Sequence, residues 1–94
     1  KMKRYNSMAE LQKAYIELEK KHFVIIDSYV VGMVTTEEIK DFEQFYLEMR
    51  EAVYQMEIND ENVGEIARIK SILQHYYTEI LEDDELLTVA YNNS

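Results

Sequence analysis

A chain of 94 residues is long enough for one domain and too short for two, and its 47% hydrophobic and 31% charged residues are typical of a folded protein. The absence of cysteine excludes disulfide bonds, thiolate catalysis and cysteine-ligated metal sites. A formal net charge of −9 disfavours direct contact with nucleic acid or an anionic membrane and favours a protein partner with a basic surface.

The N-terminal end carries most of the positive charge. Residues 1–21 hold six of the ten basic residues and three acids, whereas residues 22–94 hold four basic residues and sixteen acids. We interpret residues 1–6 as a basic tail within a single helical domain that spans residues 1–94. The tail leads into the polar stretch at residues 10–21, which is unlike the apolar centre of a signal peptide. We therefore predict a cytoplasmic protein.

A capping box predicts the start of the first helix. Ser7 and Glu10 have the required spacing, in which the serine oxygen accepts from the amide three residues on and the glutamate carboxylate reaches back. This helix should begin at about Met8. One side of it is apolar at alternating steps of three and four residues, which is the spacing of a core-facing stripe. The stripe consists of Met8, Leu11, Tyr15, Leu18, His22, Ile25 and Tyr29.

Residues 23–34 are apolar on every side of a helical wheel, and two neighbouring helices cannot cover that much surface. The weakly charged stretch at residues 23–36 is also too short to cross a bilayer as a helix. One interpretation is a continuous helix over residues 8–34 whose surplus face meets a second subunit. Another is a β-hairpin that turns at Asp27 and Ser28, because the segment is rich in β-branched residues. The predicted dimer interface consists of Ile26, Tyr29, Val30 and Met33.

A second capping box marks the second helix. Thr35 and Glu38 repeat the spacing of the first, and Glu37 and Glu38 also suit the positive end of a helix dipole. We predict that this helix begins near Thr36. Its apolar stripe consists of Ile39, Phe42, Tyr46, Met49, Val53 and Met56.

A cluster of polar residues predicts the start of the third helix. Asn59, Asp60 and Asn62 can each cap a helix, so we place the start between Asp60 and Val63. The alternation of three- and four-residue steps continues beyond this point. The apolar stripe consists of Ile66, Ile69, Leu73, Tyr76 and Ile80.

Four consecutive acids at residues 82–85 mark the end of the third helix. Negative charge is unfavourable at a helix C-terminus, so these acids should instead cap a short fourth helix that packs back on the bundle. Residues 92–94 should fray. The predicted fold is therefore all-α: an elongated antiparallel bundle of three long helices with a short C-terminal fourth helix, paired as a homodimer.

Few residues offer catalytic or metal-binding chemistry. His22 lies in the apolar stripe of the first helix, where its position suits either a packed histidine with one hydrogen-bonded nitrogen or a pH-sensitive packing role. The acidic pairs and runs lack the glycine-centred spacing of a calcium loop, and no Glu-x-x-His motif is present to build a di-iron site. We predict no metal site and no cofactor.

Arg68, His75 and Tyr77 form a candidate catalytic motif. His75 follows Arg68 by seven residues, which returns to nearly the same helix face, and a solvated edge with local ion pairs is one explanation of that spacing. The pattern of an arginine, six intervening residues, a histidine and then a tyrosine two positions on also resembles the motif of the HEPN helical ribonucleases. The resemblance is confined to residues 68–77. It implies metal-independent RNA cleavage at a dimer interface by Arg68 and His75, with Tyr77 as a further candidate residue.

The leading interpretation is a non-enzymatic protein-binding module. An acidic helical surface with tyrosines suits recognition of a basic protein surface, since tyrosine supplies contact area at a low cost in rotamer entropy. We expect an inhibitor or regulator of a nucleic-acid-associated protein, of the type that phages, plasmids and other mobile elements encode. A structural subunit or assembly chaperone is a further alternative. The residues predicted to contact the partner are Glu37, Asp41, Glu48, Glu51, Tyr54, Glu79, Glu82, Asp83, Asp84 and Glu85.

Overall fold

The computed structural model describes residues 4–94, and this part of the chain folds into four α-helices. They contain 23, 19, 19 and 9 residues in chain order, and no strand is present among the described residues. The prediction of an all-α bundle is therefore confirmed. The helices are α1 (Met8–Val30), α2 (Thr36–Tyr54), α3 (Val63–Leu81) and α4 (Asp84–Asn92).

Side-chain caps set the starts of α1, α2 and α4. Ser7 Oγ accepts a hydrogen bond from the amide of Glu10 at 3.2 Å. Thr35 and Glu38 form a reciprocal capping box, in which each side chain accepts from the backbone amide of the other. Asp83 caps α4 with its carboxylate. Each cap of this kind contributes about 1 kcal/mol.

The start of α3 is built differently. Its N-cap residue, Asn62, makes no side-chain bond to the first turn. Asn62 Oδ1 instead accepts from the amide of Asn59 at 2.8 Å, and Asn59 Oδ1 accepts from the amides of Glu61 and Asn62. These bonds order the turn before the helix, which begins at Val63, the last position of the predicted range.

The core is built from the predicted apolar stripes. Helices α1, α2 and α3 pack against one another, and α4 lies against all three. The largest fully buried side chain is that of Phe42 on α2, and no polar or charged residue between residues 4 and 94 is buried. The buried core consists of Leu11, Ala14, Leu18, Ile25, Val34, Ile39, Phe42, Tyr46, Met49, Val53, Ile66, Ile69, Leu73, Ile80, Leu86 and Ala90.

The segment at residues 23–34 is helical for most of its length. The hairpin interpretation is wrong, because Asp27 and Ser28 lie inside α1. The continuous helix to Val34 is also wrong, since α1 ends at Val30. At 1.5 Å per residue the helix is about 35 Å long.

Gly32 ends α1. Its φ of +75° is a left-handed conformation that residues with a β-carbon rarely adopt. The amides of Gly32 and Met33 donate to the carbonyls of Tyr29 and Ser28 at 2.9 and 2.8 Å, which is the pattern of a Schellman cap. The chain then reverses, and Val34 enters the core with no exposed surface.

The C-terminal residues contact the turn between α1 and α2. The side-chain amide of Asn93 donates to the carbonyls of Gly32 and Val34, both at 2.9 Å. Ser94 Oγ accepts from the first amide of α2 at 3.2 Å. These bonds join the end of the chain to the α1–α2 turn, while the fraying expected at residues 92–94 stays a prediction.

The described part of the molecule measures 46 × 26 × 18 Å along its principal axes. Its Cα radius of gyration is 14.4 Å, whereas a compact chain of this length has about 12 Å. The difference follows from the length of α1, which runs along the long axis of a thin bundle. In a molecule of this shape, a large part of each helix faces outward. The outward faces of α1 and α2 differ in character.

Candidate interaction surfaces

Helix α2 presents a continuous polar row on the side opposite the core. The row advances in steps of four and three residues, so that it keeps to one side of the helix over about 27 Å. All of its side chains are exposed, while Phe42 and Met49 on the other side of α2 are fully buried. This α2 acidic stripe consists of Glu37, Asp41, Gln44, Glu48, Glu51 and Gln55.

The described residues neutralise little of the negative charge on the α2 acidic stripe. Lys21 Nζ lies 2.7 Å from a carboxylate oxygen of Asp41. Within residues 4–94, no salt bridge reaches Glu37, Glu48 or Glu51. Helix α2 as a whole carries six carboxylates against two cations, whereas α3 carries two of each. The negative electrostatic field of the stripe can therefore act on a partner.

Tyr5 lies near Glu48, one of the carboxylates of the stripe. Burial, followed by the nearby carboxylate of Glu48, raises the pKa of Tyr5 to about 12. The tyrosine packs against the edge of the core beside α1 and α2.

Four of the ten predicted partner-binding residues lie in the stripe. The other two members of the stripe are Gln44 and Gln55.

The other predicted carboxylates lie away from the α2 acidic stripe. Glu79 Oε1 lies within 3.1 Å of ring nitrogens of His22 and His75. Glu85 accepts a hydrogen bond from the Tyr29 hydroxyl at 3.1 Å. The structure thus places these acids beside α1. Three more, Glu82, Asp83 and Asp84, stand at the α3–α4 junction, where Asp83 caps α4 and Glu82 borders a groove between α2 and α3.

Tyr54 does not lie among carboxylates. Its ring is 4.5 Å from Lys70 Nζ and 5.4 Å from the guanidinium carbon of Arg50, so that two cations of the chain contact it. A cation over an aromatic ring contributes about 0.5–1 kcal/mol at an exposed site. The ring therefore contacts two cations at the end of α2, next to α3, and does not lie with the carboxylates of the stripe.

The residues of the candidate ribonuclease motif are divided between two sides of α3. Arg68 Nε donates to Glu65 at 2.6 Å, and His75 lies on the same exposed side, 3.1 Å from Glu79. Tyr77 faces α2 instead, where its ring meets that of Tyr46 edge-on at 5.3 Å. Arg68 and His75 are therefore neighbours along one helix face, as their spacing predicts, and Tyr77 is not.

The hydrogen bond from Arg68 is the main reason that the pKa of Glu65 lies below its usual value. A second hydrogen bond reaches Glu65 from the side-chain amide of Gln12 on α1. The same contact with Glu65 raises the pKa of Arg68. The guanidinium also lies over the ring of Tyr15, 5.5 Å from its centre. Arg68 thus takes part in the contact between α1 and α3.

His22 packs between α1 and α3. Its ring stacks on that of Tyr76 with a centroid distance of 4.0 Å and an interplanar angle of 15°. One ring nitrogen lies 2.9 Å from Glu79, as the interpretation of a packed, hydrogen-bonded histidine requires. Burial is the main cause that raises the pKa of Tyr76 to about 12. In residues 4–94 no group of three or more His, Asp or Glu side chains is placed to hold a metal ion.

The second outward surface lies on α1 from Ile16 onward and on the turn after the helix. Two of the four predicted interface residues, Val30 and Met33, are 76% and 70% exposed, whereas Ile26 and Tyr29 pack against the core of their own chain. Sequence reasoning did not identify the row Ile16, Phe23 and Val30, although its seven-residue spacing was a visible signal. This α1 apolar face consists of Ile16, Phe23, Val24, Val30, Val31 and Met33.

The α1 apolar face does not make α1 a membrane-spanning helix. Among residues 4–94, none of the helices combines the length and the apolar composition needed to cross a membrane. Charged residues at positions 19, 20, 21 and 27 of α1 interrupt the apolar surface. The face is therefore a surface on an otherwise polar helix.

Comparison with known proteins adds no relative to this picture. No family model matches the chain, no curated protein matches it, and no solved structure matches it. The function must therefore be argued from the α2 acidic stripe, the α1 apolar face and the contacts around them.

Proposed function

We propose that this chain is a non-enzymatic protein-binding module that docks through the α2 acidic stripe on a basic surface of a nucleic-acid-associated protein. The observation that carries the proposal is the stripe: four carboxylates and two amides in one exposed row, with a cation of the chain in contact with one carboxylate. A partner whose Lys and Arg side chains bind phosphates offers the complementary charge. Occupying that surface would make the chain an inhibitor or regulator, of the type that phages and plasmids encode.

The small energy of a single exposed ion pair favours a partner that makes several contacts with the stripe. An exposed ion pair contributes about 0.2–1 kcal/mol, so one pair alone does not hold a partner. Four carboxylates on one rigid helix can act together, and they steer association as well as stabilise it. Binding of this kind weakens as salt shortens the range of the field.

The assignment as a non-enzyme is supported by how the chain holds its reactive groups. His22 is stacked on Tyr76 and bonded to Glu79, and His75 contacts the same carboxylate. Arg68 is bonded to Glu65. Each of these groups has a structural role in or beside the α1–α3 contact, which accounts for its presence without a reaction.

A pair of charge variants tests the role of the α2 acidic stripe. The probe is a lysine-rich peptide of about twenty residues, titrated at about 50 mM salt, where surface charges are weakly screened. The stripe variant replaces the four carboxylates by amides (Glu37→Gln, Asp41→Asn, Glu48→Gln, Glu51→Gln). The matched control removes four carboxylates elsewhere (Glu17→Gln, Glu57→Gln, Asp60→Asn, Glu61→Gln), so both variants have the same net charge.

The stripe variant is expected to bind the peptide at least about tenfold more weakly than the wild type, because four cooperating ion pairs are lost. The control should lose much less. Equal losses in the two variants would show that the peptide senses net charge alone, and the proposal would then be withdrawn.

The ribonuclease alternative is a second proposal, favoured by one observation. Arg68 and His75 share an exposed side of α3, as a composite site on two subunits would need. The test is cleavage of single-stranded RNA in the presence of EDTA, with Arg68→Ala and His75→Ala as variants. Cleavage by the wild type that both variants lose, with circular dichroism unchanged, would replace the binding proposal by this one.

We also propose that the chain forms a homodimer. The support is the α1 apolar face, on which Phe23, Val30 and Met33 are each more than two-thirds exposed. Several large apolar side chains this exposed on one helix favour an interaction surface. Sedimentation equilibrium at micromolar concentrations should give a mass above the 11.3 kDa of one chain, and a constant 11.3 kDa would contradict it.

A further inference from the structure

Five residues of α1 form a seam along the α1 apolar face. Ile16, Lys20, Phe23, Asp27 and Val30 follow one another in steps of four, three, four and three residues. This is the spacing with which one helix meets a second helix lengthwise. The three apolar members are 48%, 68% and 76% exposed, so the bundle of their own chain leaves them uncovered.

The two charged members of the seam have no partner in the part of the chain that the structure describes. Between residues 4 and 94, no hydrogen bond or ion pair involves the side chain of Lys20 or Asp27. Asp27 stands among apolar neighbours, because the residues three and four positions from it are Phe23, Val24, Val30 and Val31. A carboxylate in such surroundings is best satisfied by a cation that arrives with an apolar surface.

The seam is symmetric about its centre. Ile16 and Val30 lie seven residues on either side of Phe23, and Lys20 and Asp27 lie at nearly equal distances from it with opposite charge. Two such helices in antiparallel orientation would set Phe23 against its own copy, Ile16 against Val30 and Lys20 against Asp27. In parallel orientation Lys20 would meet Lys20 and Asp27 would meet Asp27, which is unfavourable.

We infer that a second copy of this chain occupies the α1 apolar face, with the two α1 helices antiparallel, Phe23 on the twofold axis and two Lys20–Asp27 pairs across the interface. The inference rests on the homodimer proposed above and adds its orientation and register. The interface is isologous, as a twofold dimer requires, because each helix supplies the same seam. Apolar contact supplies the affinity, and the charge pairs select the orientation.

The expected dimer is of modest affinity. One helix pair buries an area near the lower limit of about 1,000 Å² for specific interfaces, and each chain carries a net charge of −9 that opposes association. The dimer should therefore form at tens to hundreds of micromolar and dissociate on dilution. Most of each α2 acidic stripe would remain free, and Asp41 is the member nearest the interface, since it lines one groove with Lys20 and Val24.

Sedimentation equilibrium from about 10 to 500 µM tests the interface residues. The wild-type mass should rise towards twice 11.3 kDa. Phe23→Ala should weaken the dimer about tenfold or more, since it removes the central contact. Val30→Ser is the second variant, and circular dichroism checks that both remain helical. A dimer whose affinity is unchanged in both variants would overturn the inference, because another face would then hold it.

Charge exchange tests the pairing of Lys20 with Asp27. Lys20→Asp and Asp27→Lys should each weaken the homodimer about three- to tenfold, because each places like charges together twice. A mixture of the two variants should form a heterodimer at least as tight as the wild type. Lys40→Asp, the same charge change at an exposed site on α2, is the control and should have little effect.

Cross-linking tests the orientation, and the absence of native cysteine makes single-cysteine variants unambiguous. In an equimolar mixture of Ile16→Cys and Val30→Cys under a glutathione redox buffer, the mixed disulfide should predominate. Each variant alone should cross-link poorly, since its two copies lie about 20 Å apart in the antiparallel pair. Efficient cross-linking of Ile16→Cys to itself would show a parallel dimer and overturn the inference while sparing the homodimer.

The results of these experiments distinguish three proposals: the homodimer, its antiparallel register, and binding of a basic partner to the α2 acidic stripe. A mass of one chain at every concentration overturns both the homodimer and its register. A partner of different sequence that covers Phe23, as a structural subunit or assembly chaperone would provide, also overturns the inference if the isolated chain stays monomeric. Binding of the lysine-rich peptide is independent of these results, because its variants lie on α2.

Discussion

Helices α1 and α2 carry outward rows with the same alternation of four- and three-residue steps, and the two rows have opposite character. On α1 the row contains Ile16, Phe23 and Val30, with one cation and one carboxylate between them. On α2 the row contains carboxylates and amides. The inward faces of both helices are apolar and form the core. The contrast indicates that inward faces determine the fold, while outward faces determine which partner each helix meets.

The strongest test of this contrast compares two phenylalanines. Phe42 is fully buried on the inward face of α2, so Phe42→Ala should cost about 3–5 kcal/mol of unfolding free energy. Phe23 is 68% exposed on the outward face of α1, so Phe23→Ala should cost less than about 0.5 kcal/mol. Urea denaturation at low micromolar concentration, where the monomer predominates, measures both. Similar costs would mean that the α1 apolar face is covered within its own chain.

Salt should separate the two outward rows. Raising salt from about 50 to 500 mM shortens the range of exposed charges several-fold, and binding of the lysine-rich peptide to the α2 acidic stripe should weaken about tenfold or more. The dimer should persist or strengthen, because screening also reduces the repulsion between two chains of net charge −9. Titration and sedimentation at both salt concentrations measure the two responses. If the two affinities fall together, the rows do not differ as proposed.

Two glycines, one in the turn that joins α1 and α2 and one in α3, are expected to respond to alanine substitution with stability changes of opposite sign. Gly32 has φ of +75°, so Gly32→Ala should destabilise the chain by about 1–2 kcal/mol, although nothing lies near the added β-carbon. Gly64 lies in α3, also with free space around it, and Gly64→Ala should stabilise by about 0.5–1 kcal/mol. Thermal unfolding measures both. A neutral Gly32→Ala would show that the left-handed residue does not govern the end of α1.

The smallest expected effect on stability concerns the contact between α1 and α3, beside the α1 apolar face. The hydrogen bond from Arg68 lowers the pKa of Glu65, so this carboxylate stabilises the fold above its unfolded pKa near 4.5, and that contribution is lost as pH falls through the folded pKa. Glu65→Gln should therefore reduce the loss of stability between about pH 6 and pH 3. Glu61→Gln, in the turn before α3, is the control. An identical pH profile for Glu65→Gln and the wild type would contradict the assignment.

Much of the fold could be predicted from local chemistry. The capping box at Thr35 forms where the sequence places it, because it depends on residues three positions apart. At Ser7 only the serine half of the predicted box forms, and the Glu10 carboxylate accepts from the amide of Asn6 instead. The core stripes of α1, α2 and α3 also follow from spacing alone. The end of α1 was mispredicted because the apolar residues around Gly32 continue the helical pattern, while the left-handed cap that stops it depends on backbone conformation.

The candidate surfaces were less predictable, because they depend on how each helix is rotated in the bundle. The sequence analysis named Glu37, Asp41 and Glu48 as partner contacts, together with Glu51, and helical spacing is enough to set these four on one side of α2. Spacing could not place Glu79 beside His22 or Tyr54 beside Lys70, since in each of these contacts the partner comes from another helix. Ile26 and Tyr29 were assigned to a dimer interface for the same reason, although their own chain covers much of each.

The most direct test of the central claim is amide chemical-shift mapping of the uniformly ¹⁵N-labelled chain with the lysine-rich peptide at low salt. The account predicts that the largest shifts follow the α2 acidic stripe from Glu37 to Gln55 and spare the α1 apolar face. Shifts concentrated at residues 57–61 or 82–85, where carboxylates are closer together in the sequence than in the stripe, would contradict it.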